Sequence, residues 1–391
     1  MKSFWQWNKV YKMQFIPYGK QLIEDNDIQS VVDVLTSDYL TTGPSVKAFE
    51  EALSAYCNVN YTVAVANGTA ALHLASLVLL KEGDKVLTTP NSFLATSNAI
   101  LYVGAKPIFV DIAKDGNIDL DLCEEALKSD ASIKAMYVVA FSGNMVNQKK
   151  LKYLRDTYNV TILEDCAHAI GAKEGDIKAA SCTNSDISIL SFHPVKHMTT
   201  GEGGAITTNS KELYEKLLIL RGHGMVKMPD MKPWEYEMRE LGFNYRITDM
   251  QCALGSSQLK KLDSFIERRI ELVKAYDKAF QDSMVKPLYT YDGKSSYHLY
   301  VVQVDFSKLD ISKEELFHKL REKNIGIQLH YIPINKQPYY KSLGYGDEVT
   351  PVMDKYYDEC FSLPMFPKLT DEEQTFVINN LFFCIIEKDL V

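Results

Sequence analysis

A single lysine, Lys196, lies between an apolar β-branched run, Ile187 to Phe192, and a glycine-rich turn, Gly201 to Gly204. An amine held at the end of a strand, beside a turn that lets the backbone approach a ligand closely, suits the formation of a Schiff base with a carbonyl cofactor. Most lysines are only solvated surface charges. Lys196 therefore gains its significance from other segments that could complete a cofactor site.

The segment Val63 to His73 is typical of a strand, a tight turn and a helix. Its turn, Asn67-Gly68, leaves Thr69 and Ala70 at a helix N-terminus, where unpaired N–H groups and the positive end of the helix dipole bind phosphate. The Thr69 hydroxyl could add another donor. The alternative interpretation is an ordinary strand-to-helix turn in which Thr69 caps the helix.

A carboxylate and a histidine follow the strand predicted over Val160 to Glu164. Asp165 comes at the carboxyl end of that strand; if a pyridine ring lies there, the carboxylate keeps the ring nitrogen protonated and makes the ring an electron sink. His168 could hydrogen-bond a phenolic oxygen on the same ring. Alternatively, Asp165 caps the following turn and His168 is a core histidine. With Lys196 and the phosphate turn, these residues predict a pyridoxal phosphate (PLP) site.

Two other segments offer further contacts. Phe93 follows the strand predicted over Lys85 to Thr89 and could stack on a planar cofactor, although a lone phenylalanine is more often a core residue. Asn244 ends a long loop and offers an amide that could reach a phosphate, in particular one bound to a neighbouring subunit. The alternative is a lead-in to the helix that begins after Thr248.

A metal site is not predicted. His193 and His197 have i,i+4 spacing, but Pro194 and the preceding strand argue against a helix there, and no third ligand is evident. The seven cysteines form no C-x-x-C pair and show no regular spacing, so neither zinc nor a disulfide framework is indicated. Scattered thiols fit a reducing cytoplasm.

Composition excludes several classes of protein. The chain has 391 residues, of which 46% are hydrophobic and 24% charged, as in an ordinary globular protein large enough for two domains. Its net charge of −8 argues against nucleic acid as the main partner. No apolar run reaches the ~18 residues of a membrane span, and the N-terminus lacks a signal-peptide pattern. We therefore expect a cytoplasmic protein with no membrane partner.

Short β-branched runs alternate with segments of helical period from about Tyr61 to Asn209. This alternation predicts an α/β fold with a mostly parallel, seven-stranded sheet covered by helices on both faces, and ligands at the carboxyl ends of its strands. The predicted strands are Tyr61–Ala66, Lys85–Thr89, Lys106–Asp111, Ile133–Ala140, Val160–Glu164, Asp186–Phe192 and Gly204–Thr208.

A long helical pattern from Thr248 to about Phe280 ends this alternation and leads into a smaller α+β domain. We predict an N-terminal tail (1–14), a large PLP-binding domain (15–255) and a small C-terminal domain (256–391). The loop from Gly222 to Tyr245 has little periodicity, and loops of this length are more often functional than idle.

The predicted elements of the small domain are two strands and two capped helices. The strands are Tyr297–Phe306 and Gly326–Tyr331. The helices follow the capping patterns Ser312-x-x-Glu315 and Thr370-x-x-Glu373.

Taken together, these segments resemble the DegT/DnrJ/EryC1/StrS family of sugar-nucleotide aminotransferases, which are PLP enzymes of fold type I, the aspartate aminotransferase-like fold. The likeness extends from Phe15-Ile16-Pro17-Tyr18 to Ser362-Leu363-Pro364-Met365. It rests on a highly specific ordered set of motifs: N-G-T-A-A-L-H, E-D-C-A-H-A-I-G, S-F-H-P-V-K, T-T-G-E-G-G and G-F-N-Y-R-I-T-D-M-Q.

The resemblance implies roles around the cofactor ring. Lys196 forms the Schiff base with PLP and later moves the proton, so it is catalytic. Asp165 pairs with the pyridine nitrogen and is the second catalytic residue. His168 lies near the ring hydroxyl, and Phe93 stacks on the ring face.

The resemblance also implies a shared phosphate site. Thr69, Ala70 and Ser191 hold the phosphate, and Asn244 reaches it from the other subunit. The enzyme is then a homodimer whose activity depends on dimerisation.

The implied activity is the transfer of an amino group, in two half-reactions, from L-glutamate to C4 of a UDP-linked 4-keto-6-deoxy-N-acetylhexosamine. This finer assignment rests on S-F-H-P-V-K and on Leu329 to Tyr340, which look most like the branch of the family that acts in pseudaminic acid biosynthesis. The open alternatives are C4 or C3 amination of another UDP- or dTDP-linked keto-deoxy sugar, and a non-catalytic PLP-fold protein. Lys196 speaks against a related sugar dehydratase, which would carry histidine there.

Overall fold

The structure, a computed structural model, describes residues 14–386. Apart from Gln14, the predicted N-terminal tail lies outside the described residues. Two helices precede the first strand: α1 (Asp25–Leu35) and α2 (Pro44–Cys57). No helix within residues 14–386 combines the length and the apolar character needed to cross a membrane.

Seven strands of the described chain form the central sheet: β1 (Tyr61–Val65), β2 (Lys85–Thr88), β3 (Lys106–Phe109), β4 (Ile133–Val139), β5 (Thr161–Asp165), β6 (Ile187–Ser191) and β7 (Gly204–Thr208). Their spatial order is β1-β7-β6-β5-β4-β2-β3. Only β7 runs antiparallel to its neighbours, β1 and β6. The predicted α/β fold with a mostly parallel sheet is confirmed.

Helices cover both faces of this sheet. They are α3 (Gly68–Leu79), α4 (Leu94–Tyr102), α5 (Leu120–Ser129), α6 (Gln148–Tyr158) and α7 (Lys211–Arg221). Successive residues of one strand enter different cores: Val63 and Val65 pack with α3, whereas Ala64 packs with α2. Because both faces of these strands are buried, their sequences are continuous apolar runs and do not alternate between apolar and polar residues.

Short elements complete this part of the chain. A 3-10 turn spans Phe141–Gly143. Two-residue strands pair Lys173–Glu174 with Ile177–Lys178, and Met225–Val226 with Glu237–Met238.

The C-terminal part combines helices with a three-stranded antiparallel sheet. Its helices are α8 (Asp249–Leu259), α9 (Leu262–Phe280), α10 (Lys313–Glu322), α11 (Pro338–Ser342), α12 (Pro351–Glu359) and α13 (Asp371–Ile386). Its sheet contains Lys286–Pro287, β8 (Tyr300–Gln303) and β9 (Cys360–Leu363), and 3-10 turns span Phe306–Lys308 and Ile334–Lys336. Apolar residues from one face of β8 and β9 form a core with α9 and α13, while Val301 and Cys360 pack on the other side against Ile112 and Phe141.

The prediction of a strand over Gly326–Tyr331 is wrong. The segment makes one isolated bridge, between Gln328 and Ser362, and Ile325 just before it makes another with Ile16. Its side chains after Gln328 line the cavity described below, so this backbone does not continue along the sheet edge. The partner of β8 is instead β9, which the sequence analysis did not identify.

The long helix predicted from Thr248 to Phe280 is two helices, which separate at Lys260 and Lys261. The Lys261 ammonium lies 2.6 Å from the fully buried carboxylate of Asp27. A buried carboxylate needs a paired cation, and the turn between α8 and α9 supplies it. The domain boundary predicted after residue 255 falls inside α8 and stays a prediction.

The capping predictions are confirmed. Ser312 and Glu315 form a reciprocal capping box at the start of α10. Thr370 and Glu373 exchange hydrogen bonds at the start of α13, with distances of 3.0 and 3.1 Å. Each box satisfies N–H groups that have no partner within the helix.

Candidate active site

A cavity of about 790 Å³ opens at the carboxyl ends of the central strands. It brings together most of the sequence-predicted site residues from segments far apart in the chain. Those that line it are Thr69, Ala70, Phe93, Asp165, His168, Ser191 and Lys196. Asn244 is not among the lining residues, although Tyr245 beside it is.

The N-terminus of α3 forms one end of the cavity. Asn67, not Thr69, caps this helix: its side-chain oxygen accepts the Ala70 N–H at 2.8 Å. The cap therefore occupies the Ala70 N–H, while the N–H groups of Gly68 and Thr69 have no partner within the helix. A Cβ on Gly68 would lie 3.1 Å from that of Ser191, closer than most such contacts, so glycine favours this close approach. The arrangement fits a phosphate group.

Asp165 is the last residue of β5 and is 5% exposed. One carboxylate oxygen accepts the Thr96 hydroxyl at 2.6 Å, and the other accepts the Ala167 N–H at 3.1 Å. Burial raises the pKa of Asp165, against the lowering effects of the Thr96 bond, the Ala167 bond and the Lys196 charge. Asp165 does cap its turn, and its carboxylate also lines the cavity, so the two interpretations are compatible.

Lys196 lies in the turn between β6 and β7 and faces the cavity. Burial lowers the pKa of Lys196 to about 8, and the Asp165 charge only partly offsets this effect. At pH 7 about a tenth of such amines are neutral, compared with well under a thousandth for an ordinary lysine. Only the neutral amine attacks a carbonyl, so the site favours bond formation with an aldehyde cofactor.

His168 is buried, and its two ring nitrogens have different partners. Nδ1 accepts the Ser142 backbone N–H at 3.4 Å, and Nε2 lies 3.2 Å from the Tyr331 hydroxyl oxygen. Burial, followed by the Lys196 charge, holds the pKa of His168 well below its usual value. The ring is therefore neutral, with its proton on Nε2, where it donates to Tyr331.

Phe93 does not belong to a core. Its side chain is 59% exposed, and its ring centroid lies 6.3 Å from that of Tyr331 at the cavity wall. The face of the ring is thus available to a planar ligand; stacking on a cofactor remains a prediction.

No group of three or more potential metal ligands occurs within residues 14–386. The His197 Nε2–H donates to the Ser296 carbonyl at 3.0 Å, and this ring is buried. All seven cysteines are buried.

Thr96 and Tyr331 belong to the site but were missed by the sequence analysis. Thr96 follows Phe93 by three positions, at a helix start that carried no recognised motif. Tyr331 fell in the segment wrongly predicted as a strand. The only local signal for Thr96 was its position in the first turn of a helix, three residues after the aromatic residue Phe93.

The sequence model of the DegT/DnrJ/EryC1/StrS aminotransferase family matches residues 21–382. The chain is 41% identical, over 95% of its length and 98% of the relative, to UDP-4-amino-4,6-dideoxy-N-acetyl-beta-L-altrosamine transaminase of Campylobacter jejuni. It is similar to the structure of Helicobacter pylori PseC, an aminotransferase involved in the biosynthesis of pseudoaminic acid, with a TM-score of 0.89, 30% identity and coverage of 95% and 99%. It is also similar to the PLP form of the putative sugar aminotransferase Spr1654 from Streptococcus pneumoniae, with a TM-score of 0.87, 30% identity and coverage of 95% and 98%.

Proposed function

The chain belongs to the DegT/DnrJ/EryC1/StrS aminotransferase family, and we propose that it transfers an amino group from L-glutamate to C4 of a UDP-linked 4-keto-6-deoxy-N-acetylhexosamine. It is a PLP-dependent aminotransferase. The observation that carries the substrate proposal is 41% identity along 95% of the chain to a relative named for this chemistry. Pseudaminic acid biosynthesis is the process in which we expect it to act, in the cytoplasm.

In this proposal, different cavity residues contact different parts of the cofactor. The Gly68 and Thr69 N–H groups at the start of α3, together with the Ser191 hydroxyl, would bind the phosphate. The Ala70 N–H, which the sequence analysis also assigned to the phosphate, is taken by the Asn67 cap.

Asp165 would pair with the pyridine nitrogen, and Phe93 would cover the face of the ring. His168 would lie beside the polar edge of the ring, and its two nitrogens are held by Ser142 and Tyr331. Once bound, PLP supplies an electron-withdrawing ring that carries the amino group between the two substrates.

Lys196 holds the cofactor and moves the proton. A pKa of about 8 lets this amine take up and release a proton near neutral pH, which is what a general acid–base group requires. The same lysine can serve both half-reactions because each requires a proton to be taken from one carbon and delivered to another, and one amine can do both. Tyr331 supports His168 from the far side of the cavity, since its hydroxyl oxygen accepts the Nε2 proton.

Substrate choice is tested with a panel of UDP- and dTDP-linked 4-keto and 3-keto sugars, each incubated with enzyme and L-glutamate. We expect the UDP-linked N-acetylated 4-keto-6-deoxy sugar to be aminated at C4. Its rate of amination is expected to be at least ten times that of any other sugar in the panel. Mass spectrometry and NMR of the products give the acceptor and the position. Amination at C3, or acceptance of dTDP sugars only, contradicts this substrate and favours the alternative, another keto-deoxy sugar.

The proposed enzyme is a homodimer in which Asn244 reaches the phosphate of the other subunit. Asn244 is exposed and does not line the cavity of its own chain. The loop that ends there exposes several large apolar side chains, which a second copy of the chain would cover. Those more than 60% exposed are Trp234, Tyr236, Met238 and Leu241.

Mixing two inactive variants tests this arrangement. Lys196→Ala and Asn244→Asp dimers are mixed and allowed to exchange subunits. One site of each heterodimer then combines an intact Lys196 with an intact Asn244, so activity is expected to rise well above that of either parent. The control pair is Lys196→Ala with Asp165→Ala, both within one chain's cavity, which is expected to recover nothing. Exchange without recovery in the first pair contradicts the role of Asn244 in the neighbouring site.

A further inference from the structure

Asp165 is held by a chain of two hydroxyl groups from the start of α4. The Thr96 hydroxyl donates to the carboxylate at 2.6 Å, and the Ser92 hydroxyl lies 2.8 Å from the Thr96 oxygen. All three side chains are buried, and Thr96 is only 1% exposed. A bond this short between a hydroxyl and a buried carboxylate is of the strong, charge-assisted kind.

The direction of each bond follows from counting protons. Thr96 has one hydroxyl proton, and an ionised carboxylate can only accept, so Thr96 donates to Asp165. The Ser92 proton is then the one shared between Ser92 and Thr96. With the Ala167 N–H on its other oxygen, Asp165 receives one bond on each oxygen and keeps lone pairs free toward the cavity.

We propose that Thr96 is a positioning residue of the aminotransferase: its hydroxyl orients the Asp165 carboxylate toward the cavity and keeps it ionised. The inference rests on the proposed role of Asp165. A neutral carboxylic acid cannot hold a proton on the pyridine nitrogen, so the ring would lose its capacity to accept electrons. Thr96 therefore acts on the reaction through Asp165 without touching substrate.

The surroundings of Asp165 make this bond necessary. Burial favours the neutral acid, and the charges available to oppose it are few. The titratable side chains that face the carboxylate, among the described residues, are Lys196 from the turn before β7, Tyr331 from the C-terminal part, and Cys166 and His168 from its own segment. Only Lys196 carries a charge near neutral pH, and the lysine also has to become neutral during its own chemistry. Thr96 is a donor that does not titrate.

The test compares Thr96→Val, which has the same shape without the hydroxyl, with Thr96→Ser, which keeps the hydroxyl. In the valine variant we expect the Asp165 pKa to rise further. As the pH falls, the carboxylate is then protonated at a higher pH than in the unmodified enzyme. We expect the acid limb of the kcat profile, and the pH-dependent change of the visible PLP band of the holoenzyme, to move up by about one to two pH units. At pH values below the shifted acid limb, kcat is expected to be about tenfold lower than that of the unmodified enzyme at the same pH, while KM for L-glutamate changes by less than about twofold.

Two further variants separate this role from general effects. Thr88→Val removes a buried hydroxyl that donates to the Tyr137 carbonyl outside the cavity, and it is expected to leave both profiles in place. If valine does not fold at position 96, Thr96→Ala carries the same expectation. Asp165→Ala, measured alongside, separates failure of this inference from failure of the proposed site.

Several outcomes overturn the proposal. If Thr96→Val leaves the acid limb and the visible band unchanged while Asp165→Ala is inactive, Thr96 does not position Asp165. The proposed role of Asp165 itself then stands. A shift of equal size in Thr96→Ser or in Thr88→Val assigns the effect to packing instead of to the hydroxyl. Near-normal activity of Asp165→Ala contradicts the proposed site itself.

Discussion

Lys196→Ala is expected to lower turnover by at least ~10³-fold while the protein still binds PLP through the phosphate and ring contacts. In the proposed site, the substitution removes both the amine that would bond the cofactor and the base that would move the proton. Its position supports both functions, because Lys196 lines the cavity together with Asp165, His168 and Ser191. Loss of the lysine does not alter the first turn of α3, so cofactor affinity is expected to fall far less than the rate.

Two measurements separate rate from binding. Bleaching of the visible band by L-glutamate gives the first half-reaction, and equilibrium dialysis gives the amount of bound PLP. Lys178→Ala is the matched control, since its ammonium donates to the Tyr56 carbonyl outside the cavity. We expect this control to keep its activity to within about twofold. Near-wild-type transamination by Lys196→Ala contradicts the assignment.

Asp165→Ala is expected to lose roughly 10²–10³ in kcat, even with PLP bound. Without the carboxylate the pyridine nitrogen gives up its proton, and the ring no longer stabilises negative charge on the reacting carbon. The substitution also leaves the buried Thr96 hydroxyl without its acceptor, so a modest loss of stability of about 1–3 kcal/mol accompanies the loss of rate.

Asp165→Asn separates charge from shape. Its amide oxygen can still accept from Thr96 or from the Ala167 N–H, so the fold is retained, but it carries no charge to keep the ring nitrogen protonated. We therefore expect Asp165→Asn to be nearly as impaired as the alanine variant. A loss below about threefold in both variants means that Asp165 serves only as the cap of its turn.

The central strands could be predicted because their pattern is local. Burial on both faces leaves β-branched runs bounded by turns, and the strands from β1 to β7 lie where those runs occur. The capping boxes at Ser312 and Thr370 are local for the same reason. The helix that starts at Gly68 was also predicted, but its cap was not: Asn67 and Thr69 are both good capping residues, and only the geometry selects Asn67.

The contacts that complete the site are not local. Thr96 reaches Asp165 across 69 positions of the chain, and Tyr331 reaches His168 across 163. Single-sequence patterns of period 2 or 3.6 carry no information at such separations. The error at Gly326–Tyr331 has a related cause. The segment has the composition of a β-strand, but its side chains line a cavity and its backbone pairs with no neighbouring strand of the described chain over its length.

Trapping the cofactor on the protein tests the central claim most directly. Reduction of the holoenzyme with sodium borohydride makes the bond between a lysine and PLP permanent, and peptide mass spectrometry then identifies the lysine. We predict one modified peptide, with the added mass of the reduced cofactor on Lys196, and none after prior treatment with L-glutamate. The cofactor on another lysine, or no modification of PLP-loaded protein, would contradict the account.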